Sequence, residues 1–423
     1  MKIAVIGGGV SGLMVAGELS QYFDVTIIER NEKCGKKLYI TGKGRCNLTN
    51  ACSVSEFLEN VVHGEKFLIS AINRFTSYDT IDYFEKSGLR LKTERGNRVF
   101  PLSDKASDVT KTLLKNADKC QIILNERVLK IEKDENFDKI EYLEKNKNLE
   151  NLENPFKVTT EKNVFYFDKV IVATGGKSYS STGSSGDGYK FASSLGIEIV
   201  TPESALVPIK IKDKFCSKLE GLSLKNVKLK AVIGGKKREF FGEILFTYDA
   251  ISGPISLSMS SYIGNKKVEK LSIDLKPALT EEQLNLRLLK EFKENSNKDI
   301  SNVMKNLLPH RLIEIFLEKA QIKSDIKANS ITKEMREKII KLLKDFVLEY
   351  DKLYDIEAGI ITSGGVDLKE INPKTMESKK VNGLYFIGEV LDIDCLTGGF
   401  NLQAAFSTAQ ACANAIKSEY NKK

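Results

Sequence analysis

The amino-acid sequence predicts an α/β fold in which one parallel sheet is assembled from both ends of the chain, with a β-rich and a helical segment inserted between them. Three observations carry this. Lys2–Ile6 is an apolar run without room for a polar face, followed by Gly7, Gly9 and Gly12 in G-x-G-x-x-G spacing, a small-residue helix from Leu13 to Gln21 and a second apolar run, Val25–Ile28. Two further apolar runs, Val170–Ala173 and Leu384–Ile387, end in Thr174-Gly175-Gly176 and Gly388-Glu389. Strands that are apolar on both faces belong to parallel sheets covered on both sides by helices. Between about residues 197 and 350 the pattern changes, first to short strands and then, from about Thr280, to helical periodicity.

The N-terminal stretch has the order strand, glycine turn, helix, strand, acid, which is the signature of a Rossmann-like dinucleotide-binding unit. Gly7 permits the tight turn, Gly9 lets a pyrophosphate approach the backbone, and Gly12 lets the helix pack on the strand. The helix N-terminus offers unsatisfied N–H groups and the positive end of a dipole to the phosphates. Glu29, closing the second strand, can accept hydrogen bonds from the adenosine ribose.

With 423 residues the chain is too long for one simple domain. The pattern divides it into 1–195, the N-terminal part of the nucleotide-binding domain; 196–277, a β-barrel-like insert; 278–352, a helical insert; and 353–423, the C-terminal part of the first domain. The seven cysteines form no C-x-x-C pair and there are two histidines, His63 and His310, which argues against a metal site and against a Ser-His-Asp hydrolase. No apolar run reaches the ~18–20 residues of a membrane span. The first strand begins at the N-terminus with no room for a signal peptide, so the expected location is cytoplasmic. The formal charge of +8 is compatible with an anionic partner such as RNA.

Residues 30–50 are rich in Gly, Lys and Asn and irregular, and loops of this length are usually functional. Gly42 and Gly44 would let backbone run close against a planar ligand. Residues 55–90 are expected to be mostly helical. Residues 91–109 read as two strands around a Gly96-Asn97 turn, then a helix capped near Ser103 or Ser107. Residues 121–170 read as a small antiparallel meander containing a charged loop, Glu144–Glu153. Met335, Ile339, Leu342, Phe346 and Tyr350 form one helical face. Near the C-terminus, Thr397-Gly398-Gly399-Phe400-Asn401 opens a helix running to about Ile416. Glu389 at its strand end can bind the ribityl or pyrophosphate part of FAD. The helix N-terminus beyond it can face the flavin edge that becomes negative on two-electron reduction.

In order along the chain, GGGVSG, TGKGRCNLTN, VIVATGG, GEILFT with a following SGP, SGGVDLKEINPKTMESK, and GLYFIGEVLDID with TGGFNLQ resemble the YhiN/BaiN family of bacterial NAD(P)/FAD-dependent oxidoreductases over essentially the whole length. The resemblance implies non-covalent FAD in a discontinuous Rossmann-like domain with inserted β-barrel-like and helical domains. It implies Gly7, Gly9, Ser11 and Gly12 at the pyrophosphate and Glu29 and Arg30 at the adenosine. Lys37, Gly42, Gly44, Arg45 and Cys46 would lie in the second loop, Thr174 and Gly175 near the adenine side, and Gly388, Glu389, Gly398, Gly399, Asn401 and Leu402 around the ribityl chain and ring. The chain departs from the family pattern at Tyr248, where histidine is common, at Cys395-Leu396, where Gly-Asp is common, and at Ala404, where tryptophan is common.

Family members are linked to reduction of a C=C bond in bile-acid intermediates, to oxidation of aminoacetone, and to reduction of a uridine in large-subunit ribosomal RNA. The leading expectation is therefore an FAD-dependent reductase of an activated C=C bond, with uridine in ribosomal RNA as substrate and NADH or NADPH as electron donor. Cys46 and Cys395 are candidate proton donors, beside a tyrosine or a bound water. Lys225, Lys228, Lys230, Lys236, Lys237 and Arg238 on the inserted strands would favour RNA. The alternatives are a small-molecule oxidase or reductase, and a flavin-containing RNA-binding protein whose redox chemistry is dispensable. No second complete G-x-G-x-x-G unit is visible for a nicotinamide cofactor.

Overall fold

The computed structural model describes residues 1–133 and 155–421; the charged stretch 144–153 lies outside them. The chain divides into two compact units, Met1–Ala205 with Ile356–Lys423, and Leu206–Asp355.

A five-stranded sheet centres the first unit, in the order Leu384–Phe386, Lys169–Val172, Lys2–Ile6, Asp24–Ile28 and Gln121–Ile123. All its pairings are parallel, with Ile3 opposite Lys169 and Val25, and Val170 opposite Leu384. Its interior strands are buried almost throughout, as the apolar runs require. The Val10–Leu19 helix packs against the long C-terminal helix Phe400–Tyr420. The first helix can approach the first strand because residue 12 is glycine: a Cβ there would lie 2.0 Å from the Gly7 carbonyl oxygen.

Gln121–Ile123 corrects one expectation. It is the edge of the parallel sheet, pairing Ile122 with Ile27 and Ile123 with Ile28, and the antiparallel meander is formed by Val128–Lys133, Phe156–Thr160 and Val164–Phe167. Three residues are too short a run for alternation to separate the two kinds of strand. The hairpin of Leu91–Glu94 and Arg98–Pro101 forms as expected, and Thr49–Asn50 adds a third strand to it. The helix that follows, Ala106–Asn116, is not capped by Ser103 or Ser107: its N-cap is Lys105, which gives no side-chain cap, and Ser107 lies inside the first turn.

The second unit carries a seven-stranded antiparallel sheet ordered Phe346–Leu348, Val268–Asp274, Ser223–Ile233, Lys236–Phe246, Ala250–Ser252, Ile209–Ile211 and Tyr350–Leu353. On the long third strand Leu224, Val227, Leu229, Ala231 and Ile233 are buried. The helices Glu281–Glu294, His310–Lys319 and Lys333–Lys344 share one hydrophobic core with this sheet, so inserted strands and inserted helices make a single body. The unit begins at Leu206 rather than near 196 because Ile199–Ala205 pairs with Ile361–Val366 inside the first unit.

Phe346 and Tyr350 leave the helical face on which their spacing put them. The helix ends at Lys344, Asp345 turns to φ −149°, and Phe346 enters a strand. The four-residue spacing suits a helix, but Phe346 and Leu348 also alternate inward as strand residues do. The Phe346 ring is fully buried and stacks on Phe316, centroids 6.4 Å apart. Among the described residues no helix is long and apolar enough to cross a membrane.

Phe346→Ala should lower the stability of the second unit by about 3–5 kcal/mol, the usual cost of emptying a buried phenyl site, measured by urea unfolding. A change below about 1 kcal/mol would show that this ring does not centre the core.

Candidate functional site

The glycine turn after the first strand is held by Glu29. Its carboxylate accepts from the Gly8 backbone N–H at 2.7 Å, from the Asn31 backbone N–H at 2.9 Å and from Asn31 Nδ2 at 2.6 Å. Three protein donors use most, but not all, of the roughly four lone-pair sites of a carboxylate. Cys34 packs beneath the turn, where burial first and Glu29 second push its thiol up to about 12. The helix that follows has Gly9 as N-cap with no side-chain cap, and no acidic residue in its first turn. Its first N–H groups therefore have no acceptor within the helix and no carboxylate competes with an incoming anion.

The neighbouring strand ends converge with this turn. A Cβ at Gly7 would lie 2.7 Å from the Ala173 oxygen, and one at Gly388 would lie 2.7 Å from Ser11 Oγ. Lys37 from the second loop reaches the C-terminal strand end: its Nζ donates to Glu389 Oε2 at 2.7 Å, to Oε1 at 2.8 Å and to Ser178 Oγ at 2.8 Å. Glu389 Oε1 also accepts from the Thr362 backbone N–H at 3.1 Å. Gly175 lies close to Glu389 and Ser184. Beside it Thr174 Oγ1 is buried without a hydrogen-bond partner.

The C-terminal helix presents a second uncapped N-terminus. Gly399 is its N-cap at φ +100°, with no side-chain cap and no acid in the first turn. A Cβ there would meet the Thr49 backbone at 2.5 Å, so glycine is required by contact as well as conformation. Asn50 Nδ2 donates to the Gly398 oxygen at 3.1 Å. Asn401 is occupied within the protein: Oδ1 accepts from the Cys395 N–H at 2.9 Å and Nδ2 donates to the Cys395 oxygen at 2.8 Å. Its side chain fixes the strand before the helix to the helix start. Leu402 is half-buried and packs on the core.

Arg30 and Arg45 lie in separate charge clusters. Arg30 Nη1 donates to Ser185 Oγ at 2.6 Å and to Asp187 Oδ2 at 3.3 Å, and Arg127 binds the same carboxylate at 2.9 and 3.0 Å. Burial alone would raise the Asp187 pKa, but the two arginines outweigh it and hold the carboxyl below its usual range. Arg45 binds Glu94 and Asp104 and covers the Phe100 ring at 4.2 Å. Gly42 and Gly44 both adopt positive φ in the turn preceding it.

Cys46 and Cys395 are both fully buried in protein. Burial pushes Cys46 up to about 12, and burial with Asp394 pushes Cys395 well above the normal thiol range. Neither thiol meets a surface that a substrate could reach. A pair invisible in the sequence lies nearby: His63 Nδ1 is 2.5 Å from Asp394 Oδ1, with residues 63 and 394 opposed on paired strands. No local sequence motif marks Ser178, Thr362 or Arg127 either.

In the second unit Lys225, Lys236, Lys237 and Arg238 are exposed, Arg238 over the Tyr262 ring. Lys228 pairs with Glu239 and Lys230 lies 3.6 Å from Asp274. Tyr248 and Phe241 are exposed large aromatic residues of the same unit.

This set of residues fits FAD. One uncapped helix N-terminus suits a pyrophosphate and a second suits the electron-accepting edge of a flavin, while Thr174 offers a buried hydroxyl with no partner of its own. At Gly9 a Cβ would meet nothing closer than the Ala173 oxygen at 3.9 Å. Gly9→Asp should therefore fold normally by circular dichroism while losing bound flavin, because its carboxylate occupies the phosphate position. Retention of full flavin content would refute the pyrophosphate assignment. Asp187→Asn should lower Tm at pH 7. The native carboxyl titrates below its unfolded value of about 3.9, so its stabilisation is complete above that pH and lost as pH falls through the native pKa. The Tm gap between wild type and variant should close on acidification toward pH 3; a constant gap would contradict the arginine clamp.

The chain is similar to known proteins over nearly its whole length. The chain is 32% identical over 424 residues to the ribosomal RNA dihydrouridine synthase of Haemophilus influenzae, with 97% of each chain covered. It is 31% identical over 416 residues to the protein of the same name from Escherichia coli, covering 97% of this chain and 96% of that one. It is 29% identical over 424 residues to the 3-dehydro-bile acid delta(4,6)-reductase of Clostridium scindens, covering 98% of each. Residues 1–415 match the model of the HI0933-like protein Rossmann domain, so the chain belongs to the HI0933-like family of FAD-dependent flavoprotein oxidoreductases.

Proposed function

We propose that this protein reduces an activated C=C bond with FAD as its cofactor, and that its substrate is a uridine of large-subunit ribosomal RNA, converted to dihydrouridine. The observation that carries the reading is the likeness to two proteins named ribosomal RNA dihydrouridine synthase over the full length of the chain, both units included.

The chain's own residues have definite tasks in this account. The N–H groups after Gly9 hold the pyrophosphate, with Ser11 and Gly12 in the same turn. Glu29 fixes the glycine turn and accepts from the ribose, with Arg30 on the adenosine side. Lys37 and Glu389, paired to one another, line the ribityl portion with Gly388, while Thr174 and Gly175 lie toward the adenine side. The N-terminus of the Phe400–Tyr420 helix, set by Gly398 and Gly399, stabilises negative charge on the flavin edge, while Asn401 secures the adjoining strand and Leu402 packs behind it. Reduced FAD supplies a hydride to one carbon of the double bond, and the protein supplies a proton to the other. NADH or NADPH is the electron donor in this reading.

Exposed Lys225, Lys236, Lys237 and Arg238 support an RNA partner, and Phe241, on the sheet face of Lys237, is an exposed aromatic platform. Lys228 and Lys230 contribute less, because acids already engage them. A base within folded RNA must be turned out of its stack to be reduced. Such a substrate makes the protein's working compartment the cytoplasm. The third relative, a bile-acid reductase by name, supports a second reading in which a small conjugated enone takes the place of uracil.

Mass spectrometry of large-subunit ribosomal RNA with and without the gene separates the readings. Loss of one dihydrouridine, restored by the wild-type gene and not by the Gly9→Asp gene, is expected. Unchanged dihydrouridine would turn the assignment to the small-molecule substrate. Restoration by Gly9→Asp would point to an RNA-binding role without redox chemistry.

A further inference from the structure

The reduction needs a proton donor, and the structure offers one that neither cysteine matches. His63 ends the short strand Val61–His63, which pairs with Asp394–Cys395. Asp394 is fully buried, while the His63 side chain is 41% exposed. Asp394 Oδ1 lies 2.5 Å from His63 Nδ1 and accepts from Ser363 Oγ at 3.0 Å. Asp394 Oδ2 is buried with no hydrogen-bond partner. A carboxylate with one oxygen unsatisfied, taken wholly out of water, is costly unless a cation or a strong donor faces it. Asp394, Ser363 and Asp392 are among the groups that face the imidazole. Burial holds Asp392 above the usual carboxylate range, Asp394 adds to that rise and His63 opposes it.

The pair is also tied to the cofactor-binding residues. Ser363 follows Thr362, whose N–H binds the Glu389 that Lys37 holds. Asp394 precedes Cys395, which Asn401 fastens to the N-terminus of the C-terminal helix. The chain segments that carry Asp394 and Ser363 thus also carry residues of the cofactor-binding set.

We infer that His63 is the general acid of the reduction, with Asp394 and Ser363 as positioning residues that fix its ring. This rests on the reductase reading above. Facing a carboxylate, Nδ1 carries a hydrogen, which makes Nε2 the nitrogen that gives and regains the second proton. The balance is complete: the substrate π bond breaks, one C–H bond forms with the hydride from the reduced flavin, and the other forms with the proton from Nε2. The flavin is oxidised, the substrate is reduced, and the imidazole regains its proton from solvent.

Two measurements on the FAD-loaded protein test this. The first needs no substrate. Nitrogen-15 NMR of histidine side chains gives two ring systems, assigned with His310→Gln. The His63 ring should show a protonated Nδ1, and Asp394→Asn should shift it toward the Nε2–H tautomer. An identical His63 spectrum in Asp394→Asn would overturn the positioning role. The second is turnover on ribosomal RNA from cells lacking the gene, with flavin reduced by dithionite and dihydrouridine read by mass spectrometry. His63→Gln should lower kcat about 100-fold or more, with flavin content and KM unchanged, and imidazole in solution should restore part of the rate in His63→Ala. Full activity of His63→Gln would overturn the acid assignment. If wild type spares the RNA, the substrate reading fails on its own, and cyclohexenone becomes the probe for the same comparison. Inactivity of wild type on both probes would overturn the acid assignment together with the reductase reading.

Discussion

The ion pair of Lys37 and Glu389 joins the two ends of the chain at the point where the site forms. Lys37 lies nine residues after the second strand and Glu389 just beyond the fifth strand in chain order, 352 residues apart in sequence. Both side chains are about one-fifth exposed, so neither can be removed without leaving the other partly desolvated and unpaired, and such losses cost more than the intact pair contributes. Ser178 and the Thr362 backbone complete the set. Four separate chain segments therefore meet at this ion pair, and the order of the parallel sheet makes this possible: Leu384–Phe386 pairs with Lys169–Val172, which pairs with Lys2–Ile6.

From that arrangement follow two helix N-termini of the same character. Each begins at a glycine, lacks a side-chain cap and has no acid in its first turn. An ordinary surface helix gains stability from a Ser, Thr, Asp or Asn cap, as the helices beginning after Ser53, Thr76, Thr280 and Thr332 do here. Leaving the Val10–Leu19 and Phe400–Tyr420 helices uncapped forgoes about 1 kcal/mol at each, and a bound anion or anionic flavin can return it.

Much of this was legible in the sequence because it depends on local patterns. Four apolar runs identified four of the five parallel strands, and the glycine spacing located the first helix start. Two strand-end motifs located Glu389 and Gly399. What escaped depends on contacts between distant segments. His63 and Asp394 are 331 residues apart, and nothing in the local pattern around either marks a pair. Gln121–Ile123 is too short to reveal its sheet. Phe346 follows a helical spacing that a strand also satisfies, and Asp345 decides between them through its backbone. Cys46 and Cys395 are candidate donors by residue type alone; their complete burial is a property of packing, which residue type does not report.

The central claim is that one FAD is held without a covalent bond by groups at the strand ends of the first unit. Heating the purified protein, removing the precipitate and identifying the released flavin by chromatography tests it most directly. The account predicts about one equivalent of FAD per chain, all of it released. FMN, no flavin, or flavin that stays with the denatured chain would contradict it.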